Sequence, residues 1–148
     1  MNEKFKEAAE LFEEVMIYGT ERLMKSIDLP LWYEYSPEQI QVLKILSTYG
    51  KATSSKIAQL QGVHKSAISS RIKKLEEKSL IMIKPDEQDR RSKFIFLTEK
   101  GERILQLSNE AIYKQFETLI LDQVDEYEID QFIEIFSKLK KILQLKGM

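Results

Sequence analysis

The residues with the clearest chemical potential lie in the middle of the chain, where arginines, lysines and hydroxyl side chains recur at helical and turn spacings. Arg90 and Arg91 follow Asp89 in a charged stretch between two apolar runs. Guanidinium groups on a protruding turn suit the narrow, electronegative minor groove of duplex DNA. Upstream, serines and lysines share one face of a helical segment and match groups that reach phosphates and base edges in a major groove about 12 Å wide. These residue types therefore indicate binding to a polyanion.

Residues suited to catalysis or metal binding are few. The 148-residue sequence has no cysteine and one histidine, His64, so disulfides, zinc–thiolate sites and thiol redox sensing are excluded. A phosphate-binding glycine loop and a Gly-x-Ser-x-Gly motif are also missing. An acidic cluster between residues 122 and 130 spans a helix junction, where capping explains it better than a cation site does. We expect no enzyme activity, no metal and no cofactor.

Charge is distributed unevenly along the chain. The net charge is −1, but residues 51–103 carry thirteen Lys and Arg against seven Asp and Glu, whereas the flanks carry ten against seventeen. This asymmetry is typical of a polyanion-binding module attached to segments with another role. The longest apolar runs have four residues, and the N-terminus has no apolar stretch of a secretory signal. We therefore expect a cytoplasmic protein that does not cross or bind a membrane.

Hydrophobic spacing and capping residues predict a mostly helical first half. Apolar residues at three- and four-residue steps favour a first helix over about residues 3–27. Residues 36–39 have the residue types of a capping box with proline at its first helical position. Two short helices, residues 53–60 and 65–78, then flank a turn at Gly62. This arrangement is typical of a helix-turn-helix.

The second half begins with a predicted hairpin. Two strand-like runs, residues 80–84 and 93–97, enclose a charged stretch. A helix starting at Thr98 continues to about Leu121, and a last helix has apolar residues at heptad spacing between residues 129 and 143. A helix-turn-helix followed directly by a hairpin is a winged helix. The expected fold is mainly α, with a small wing of two or three strands.

Five segments of this order resemble those of the MarR-type transcriptional regulators, and the resemblance covers nearly the whole chain. They are residues 36–43 (SPEQIQVL), 55–58 (SKIA), 72–78 (IKKLEEK), 89–91 (DRR) and 97–101 (LTEKG). The last two resemble the family's wing signature at its usual spacing. The resemblance implies a homodimer that binds a pseudo-palindromic operator in double-stranded DNA, acting as a repressor whose DNA affinity a small-molecule effector modulates.

The resemblance also implies a division of the chain and a set of DNA-binding residues. Residues 1–34 would form an N-terminal dimerisation helix and linker, residues 35–100 the winged helix-turn-helix, and residues 101–148 the C-terminal dimerisation helices, all in one compact chain. Arg91 would enter the minor groove, and Asp89 would hold the wing arginines in position. The expected DNA-binding residues are Thr53, Ser54, Lys65, Ser66, Ala67, Ser69, Ser70, Arg71, Lys73, Lys74, Lys84, Asp89, Arg90, Arg91 and Lys93.

Two further sites are expected outside the DNA-binding segment. The heptad spacing favours packing between subunits over packing within one chain, because a long first helix and a heptad last helix cannot both be buried on a lobe this small. The expected dimerisation residues are Phe5, Phe12, Ile129, Phe132, Phe136, Leu139 and Leu143. A pocket for a small aromatic or lipophilic effector is a hypothesis for five aromatic residues, although aromatics at such a junction more often belong to the core. They are Phe12, Tyr18, Trp32, Tyr33 and Tyr35.

Three positions depart from the family pattern. Ser79 stands where glycine is usual, so either Ser79 takes a left-handed conformation or this turn differs. Lys84 stands where arginine is usual, and Ser70 where an arginine is often found, so the base preference does not follow from the resemblance. A winged-helix adaptor or anti-repressor that binds protein instead of DNA is the alternative function. The basic middle of the chain and the paired wing arginines favour DNA.

Overall fold

Eight α-helices, one π-helical segment and two strands follow one another in residues 2–143, the part of the chain that the computed structural model describes. They are α1 (Glu3–Glu14), a π-helical segment (Val15–Gly19), α2 (Thr20–Lys25), α3 (Leu31–Glu34), α4 (Pro37–Tyr49), α5 (Ser54–Gln61), α6 (Lys65–Glu77), β1 (Ile81–Pro85), β2 (Lys93–Leu97), α7 (Glu99–Ile120) and α8 (Glu126–Ile142). The expected mainly helical class with a small wing is confirmed. Residues 1 and 144–148, the two ends of the expected dimerisation segments, lie outside the described residues.

Capping residues set the start of α4, α7 and α8, as their local sequence predicts. The Ser36 hydroxyl accepts a hydrogen bond from the Gln39 N–H at 3.2 Å, and the Gln39 side chain accepts from the Ser36 N–H in return. Asp125 and Glu128 form the same reciprocal pair at the start of α8. The Thr98 hydroxyl caps α7. Each cap satisfies amide donors that the first turn of a helix leaves free.

The first helix differs from its prediction in two ways. It ends at Lys25 instead of Ile27, and residues Val15–Gly19 form a π-helical turn inside it. A π turn accommodates one extra residue and shifts the faces of the helix that follows. The run Val15–Tyr18 is apolar throughout, so its spacing does not distinguish an α turn from a π turn. The sequence also gives no sign of α3, which the prediction treated as part of a linker.

The core lies inside the winged helix-turn-helix. Its buried side chains come from α4, α5, α6, both strands, Leu105 of α7 and three residues between elements, which are Tyr35, Ala52 and Leu80. The largest fully buried apolar side chains are Val42, Leu43, Leu46, Ile57, Ile68, Leu75, Leu80 and Ile95. No residue of α1, of the π-helical segment, of α2 or of α8 is buried. The terminal helices therefore extend away from this core and leave their apolar side chains uncovered.

The wing is an antiparallel hairpin, and a single residue outside it pairs with its second strand. β1 and β2 pair from Ile81 with Leu97 to Pro85 with Lys93. Ala52, between α4 and α5, exchanges backbone hydrogen bonds with Ile95, which explains why both two and three strands were reasonable expectations. The first strand lies one residue later than predicted, because Leu80 belongs to the buried turn that ends α6.

That turn is a Schellman motif, in which Ser79 takes the left-handed conformation. The φ angle of Ser79 is 63°, the Leu80 N–H donates to the Leu75 carbonyl at 3.0 Å, and the Ser79 N–H donates to that of Glu76 at 2.9 Å. Of the two possibilities that the sequence left open, the structure has the left-handed one. A non-glycine residue there costs about 1–2 kcal/mol.

α7 begins directly against this turn. The Thr98 N–H donates to the Leu80 carbonyl at 3.1 Å, and the Thr98 hydroxyl donates to the Ser79 carbonyl at 2.6 Å. A Cβ atom on Gly101 would overlap the Leu80 carbonyl oxygen. Glycine is therefore required at position 101 by the close approach of two backbones.

We expect Ser79→Gly to raise the free energy of unfolding by about 1 kcal/mol, because glycine adopts positive φ without steric cost. Urea unfolding at a fixed protein concentration measures this change. Ser79→Ala is the matched control: it keeps the Cβ atom at the same φ and is expected at or below the stability of the unmodified protein. Equal effects of the two substitutions would contradict the strain at this residue.

Candidate nucleic-acid interface

Two Schellman turns and two caps hold the helix-turn-helix. Thr53 caps α5 by accepting the Lys56 N–H at 3.2 Å, and α5 ends at Gly62, whose φ of 64° is left-handed. The Val63 N–H returns to the Ala58 carbonyl at 3.1 Å, which completes the turn in the same way as at Ser79. A side-chain cap thus sets the start of α5, and backbone hydrogen bonds set its end.

His64 occupies the N-cap of α6. Its Nδ1 accepts the Ser66 N–H at 3.4 Å, so the imidazole fills the role that Ser, Thr or Asp usually has. This use of a ring nitrogen explains the unusual residue type at the cap. It also gives the histidine a structural function in positioning the first turn of α6.

One face of α6 presents hydroxyl and basic side chains to solvent. We call it the recognition face; its members are all exposed and are Lys65, Ser66, Ser69, Ser70, Lys73 and Lys74. The opposite side buries Ile68, Ile72 and Leu75 in the core. Ala67 and Arg71, which are among the expected DNA-binding residues, are half-buried on the flank of the helix. The recognition face therefore does not include them.

The wing tip is a tight turn with arginine at both corners. The Ser92 N–H donates to the Asp89 carbonyl at 2.9 Å, so Arg90 and Arg91 are the two central residues of a β-turn. The Asp89 carboxylate accepts the Arg91 N–H at 3.1 Å and lies 3.8 Å from Arg91 Nε. The Arg91 side chain is 97% exposed. Asp89 thus orders the turn while the guanidinium stays in solvent.

Three lysines lie beside the hairpin, and two of them have aromatic neighbours on its outer face. Lys84 Nζ lies 5.7 Å from the centre of the Phe96 ring, whereas Lys93 is exposed opposite Pro85 at the end of the ladder, on the face of Ile95. Lys51 Nζ lies 4.4 Å above the Phe94 ring. Sequence reasoning did not include Lys51 among the DNA-binding residues, and its only signal there was its place in the basic segment. These contacts hold ammonium groups beside the wing.

Three of the five residues of the hypothetical effector pocket have separate partners. Tyr35 is 3% exposed in the core, and burial raises the pKa of its phenol. Trp32 Nε1 donates to the buried Ser108 hydroxyl at 3.0 Å. Tyr33 is 84% exposed, and its hydroxyl donates to Asp28 at 2.9 Å, which raises its pKa.

The remaining two members, Phe12 and Tyr18, are exposed on α1 and on the π-helical segment. The five residues therefore do not form one pocket within a single chain, and the effector pocket stays a prediction. The physical reason is that Tyr35 and Trp32 are used to pack α3 onto the core and α7. A four-residue helix had no signal in the sequence, so this use of them was not foreseen.

Apolar side chains are uncovered along both terminal arms, by which we mean residues 3–25 and α8. Phe5 and Phe12 are exposed in the first, and Phe132 and Phe136 in the second. Phe132 and Phe136 stack at 4.2 Å between ring centres, and Phe116 of α7 lies 6.2 Å from Phe132. A groove of about 660 Å³ runs between α7 and α8. It is lined by Phe116, Ile120, Val124, Glu128, Ile129, Gln131, Phe132, Ile135 and Phe136.

The other expected dimerisation residues lie along the same arm. Ile129 and Leu139 are half-buried on α8, and Leu143 caps its C-terminal end. Acidic residues at the start of this helix act in its cap, as described above. Within residues 2–143, His and acidic side chains form no group of three that could hold a metal ion. No helix in this part of the chain is long and apolar enough to span a lipid bilayer.

The fold and this surface define a class of protein: a winged helix-turn-helix regulator that binds DNA. Comparison with known proteins agrees. The family model described as MarR family matches residues 35–93. An uncharacterised HTH-type transcriptional regulator, YdgG of Bacillus subtilis, is 43% identical over 143 residues, which cover 95% of this chain and 93% of YdgG. The HTH-type transcriptional regulator TcaR of Staphylococcus aureus is 45% identical over 92 residues, covering 61% of this chain and 59% of TcaR.

A solved structure has the same fold. The MarR family protein from Bacillus stearothermophilus aligns with a TM-score of 0.76 at 24% identity and covers 97% of this chain and 99% of its own. The chain belongs to the MarR family of DNA-binding transcriptional regulators. Proteins of this family bind DNA and act as dimers, and the relatives named above are regulators, not enzymes.

Proposed function

We propose that two copies of this chain bind a pseudo-palindromic operator, with the recognition face in the major groove and the wing arginines in the adjacent minor groove. The observation that carries this proposal is the wing tip, where Asp89 orders a β-turn whose two corners are Arg90 and Arg91. The wing turn and the recognition face together give one subunit two surfaces that can contact the same duplex. Half-sites about one helical turn apart, about 34 Å, would match the two copies.

Individual roles follow from chemistry and position. Serine hydroxyls of the recognition face donate to or accept from base edges, whereas its lysines contact phosphates. Thr53 and Ser54 lie at the N-terminal end of α5, where free amide groups favour a backbone phosphate. Lys84 and Lys93 stand along the wing and contribute positive charge beside the arginines. Lys51 joins them in this proposal because it lies over Phe94, on the same face of the wing as Lys84.

The same proposal includes a homodimer formed by the terminal arms. Neither arm contributes a buried residue in one chain, and exposed apolar patches of this extent mark interaction surfaces. The spacing of Ile129, Phe132, Phe136, Leu139 and Leu143 matches a helix–helix seam. A second copy of the chain covers both arms of the first, because in a two-fold symmetric dimer the same surface of each subunit contacts the other.

Repression and its control by a small aromatic or lipophilic effector stay predictions, as does a cytoplasmic location. An effector would change the distance between the α6 helices of the two copies, so that it no longer matches the length of one DNA turn. The aromatic residues first assigned to it are not gathered in one chain, so we place no effector residues here.

Fluorescence anisotropy with duplex DNA tests the proposal. We expect the duplex from the region upstream of the protein's own gene to bind much more tightly than a scrambled duplex, with log affinity falling against log salt at about 0.9 per phosphate contacted. A duplex selected by the protein from a random-sequence library serves if the operator lies elsewhere. Failure to bind or select any duplex would favour the protein-binding adaptor instead.

Arg91→Ala is expected to weaken binding to the selected duplex about tenfold and to lower the salt slope by about 0.9, because one guanidinium contact to the backbone or minor groove is lost. Arg103→Ala removes the same charge from an exposed position on α7 that belongs to neither proposed interface, and serves as the control. Unchanged affinity in Arg91→Ala would refute the role of the wing tip.

Light scattering tests the dimer. At micromolar concentration we expect twice the chain mass of 17.4 kDa for the unmodified protein and a monomer for Phe136→Glu, because a carboxylate in the apolar seam has no partner. Ser137→Glu adds the same charge at a neighbouring exposed position and is expected to stay dimeric. A monomeric mass for the unmodified protein would overturn the proposed assembly.

A further inference from the structure

Arg71 differs from the other basic residues of α6 in where it lies. It follows the exposed Ser70 by one residue, which turns its side chain by about 100° around the helix axis. That step moves it off the recognition face and next to the buried row of Ile68, Ile72 and Leu75, where it is half-buried. Arg71 is nevertheless one of the DNA-binding residues that the family resemblance implies.

The guanidinium has a partner within the protein. Arg71 Nη1 donates to the side-chain oxygen of Gln61 at 2.6 Å. Gln61 is the last residue of α5, and its side-chain amide donates to the carbonyl of Glu38 and to the side-chain oxygen of Gln41, each at 3.0 Å. One amide group therefore joins the first turns of α4 to the middle of α6.

The orientation of this amide follows from its neighbours. A guanidinium carries donors and no acceptor, so Gln61 must turn its oxygen toward Arg71. Its NH₂ group then faces the two oxygens on α4, Glu38 carbonyl and Gln41 side chain, and both N–H groups are used. The hydrogen bond to Arg71 is charge-assisted, which makes it stronger than one between neutral groups.

Such a connection constrains α6 in a way that core packing does not. Apolar contacts at Ile68 and Leu75 are not directional, whereas a short hydrogen bond depends on both distance and angle. A second polar connection lies at the end of α6, where Lys78 Nζ donates to the Glu34 carbonyl at 2.8 Å. The connection at Arg71 lies nearer to the serines of the recognition face, so it controls the rotation of that half of the helix.

We propose that Arg71 is a positioning residue which sets the rotation of the recognition helix through Gln61 and thereby contributes to base discrimination without contacting the duplex. This inference rests on the proposed function, because discrimination requires that the recognition face enters the major groove. A rotation that moves serine hydroxyls away from base edges weakens specific binding, while phosphate contacts by lysines adjust and are retained.

The test compares Arg71→Met, which keeps the apolar stem and removes the guanidinium, with Lys73→Met, which removes the same charge from the recognition face. Affinities are measured for the duplex that the unmodified protein selects from a random library and for its scrambled version, across a range of salt. For Arg71→Met we expect the ratio of the two affinities to fall about tenfold with an unchanged salt slope. For Lys73→Met we expect both affinities to fall alike and the slope to decrease by about 0.9.

Gln61→Met provides a second, independent test. If Arg71 acts through Gln61, this substitution lowers the ratio as Arg71→Met does, and the double variant is no worse than either single one. Thermal unfolding of each variant corrects the affinities for the folded fraction, so that a purely stabilising role would leave the corrected ratio unchanged and overturn the inference.

Two other outcomes would also overturn it. A salt slope that falls in Arg71→Met as in Lys73→Met would make Arg71 a phosphate contact. An unmodified protein that binds both duplexes equally would refute the proposed function and this inference with it, whereas normal discrimination by Arg71→Met would refute the inference alone.

Discussion

The close contact between the backbones of Leu80 and Gly101 brings together the end of α6, the wing and the start of α7. The Leu80 N–H donates to the Leu75 carbonyl in the turn that ends α6, and the Leu80 carbonyl accepts the Thr98 N–H and leaves no space for a Cβ on Gly101. Because backbone meets backbone here, no change of rotamer relieves the contact. The left-handed Ser79 turns the chain into this position, so the angles between α6, the wing and α7 all depend on it. The placement of the recognition face relative to the wing tip follows from the same junction.

From this junction the chain divides into a buried lobe and uncovered arms. The lobe contains the core and the basic surface, and a hydrogen-bonded network through Gln61 connects its three central helices. The arms carry apolar side chains that one chain does not bury. This division matches the segregation of charge in the sequence, since a DNA duplex binds to a basic surface and a second subunit to an apolar one. Each proposed partner therefore has its own part of the molecule.

Much of the fold was predictable because its signals are local. Ser36 and Thr98 act on amide groups three residues away, so residue type and spacing were enough to place the starts of α4 and α7. The position of Gly62 between two short periodic segments was enough to place the turn. The π-helical turn at Val15–Gly19 and the short α3 could not be predicted, because neither has a distinct pattern of polar and apolar residues.

The sequence by itself determined the order of the elements, the basic character of the central segment and the arginine pair at the wing tip, since these depend on neighbours along the chain. Only the tertiary structure decided which basic residue is free and which is engaged: Arg71 lies one residue from Ser70, yet it bonds to Gln61 of another helix. It also decided that Tyr35 is core while Tyr33 is exposed. The physical reason is that a helix turns each successive side chain by about 100°, so its surroundings depend on which element packs against that side.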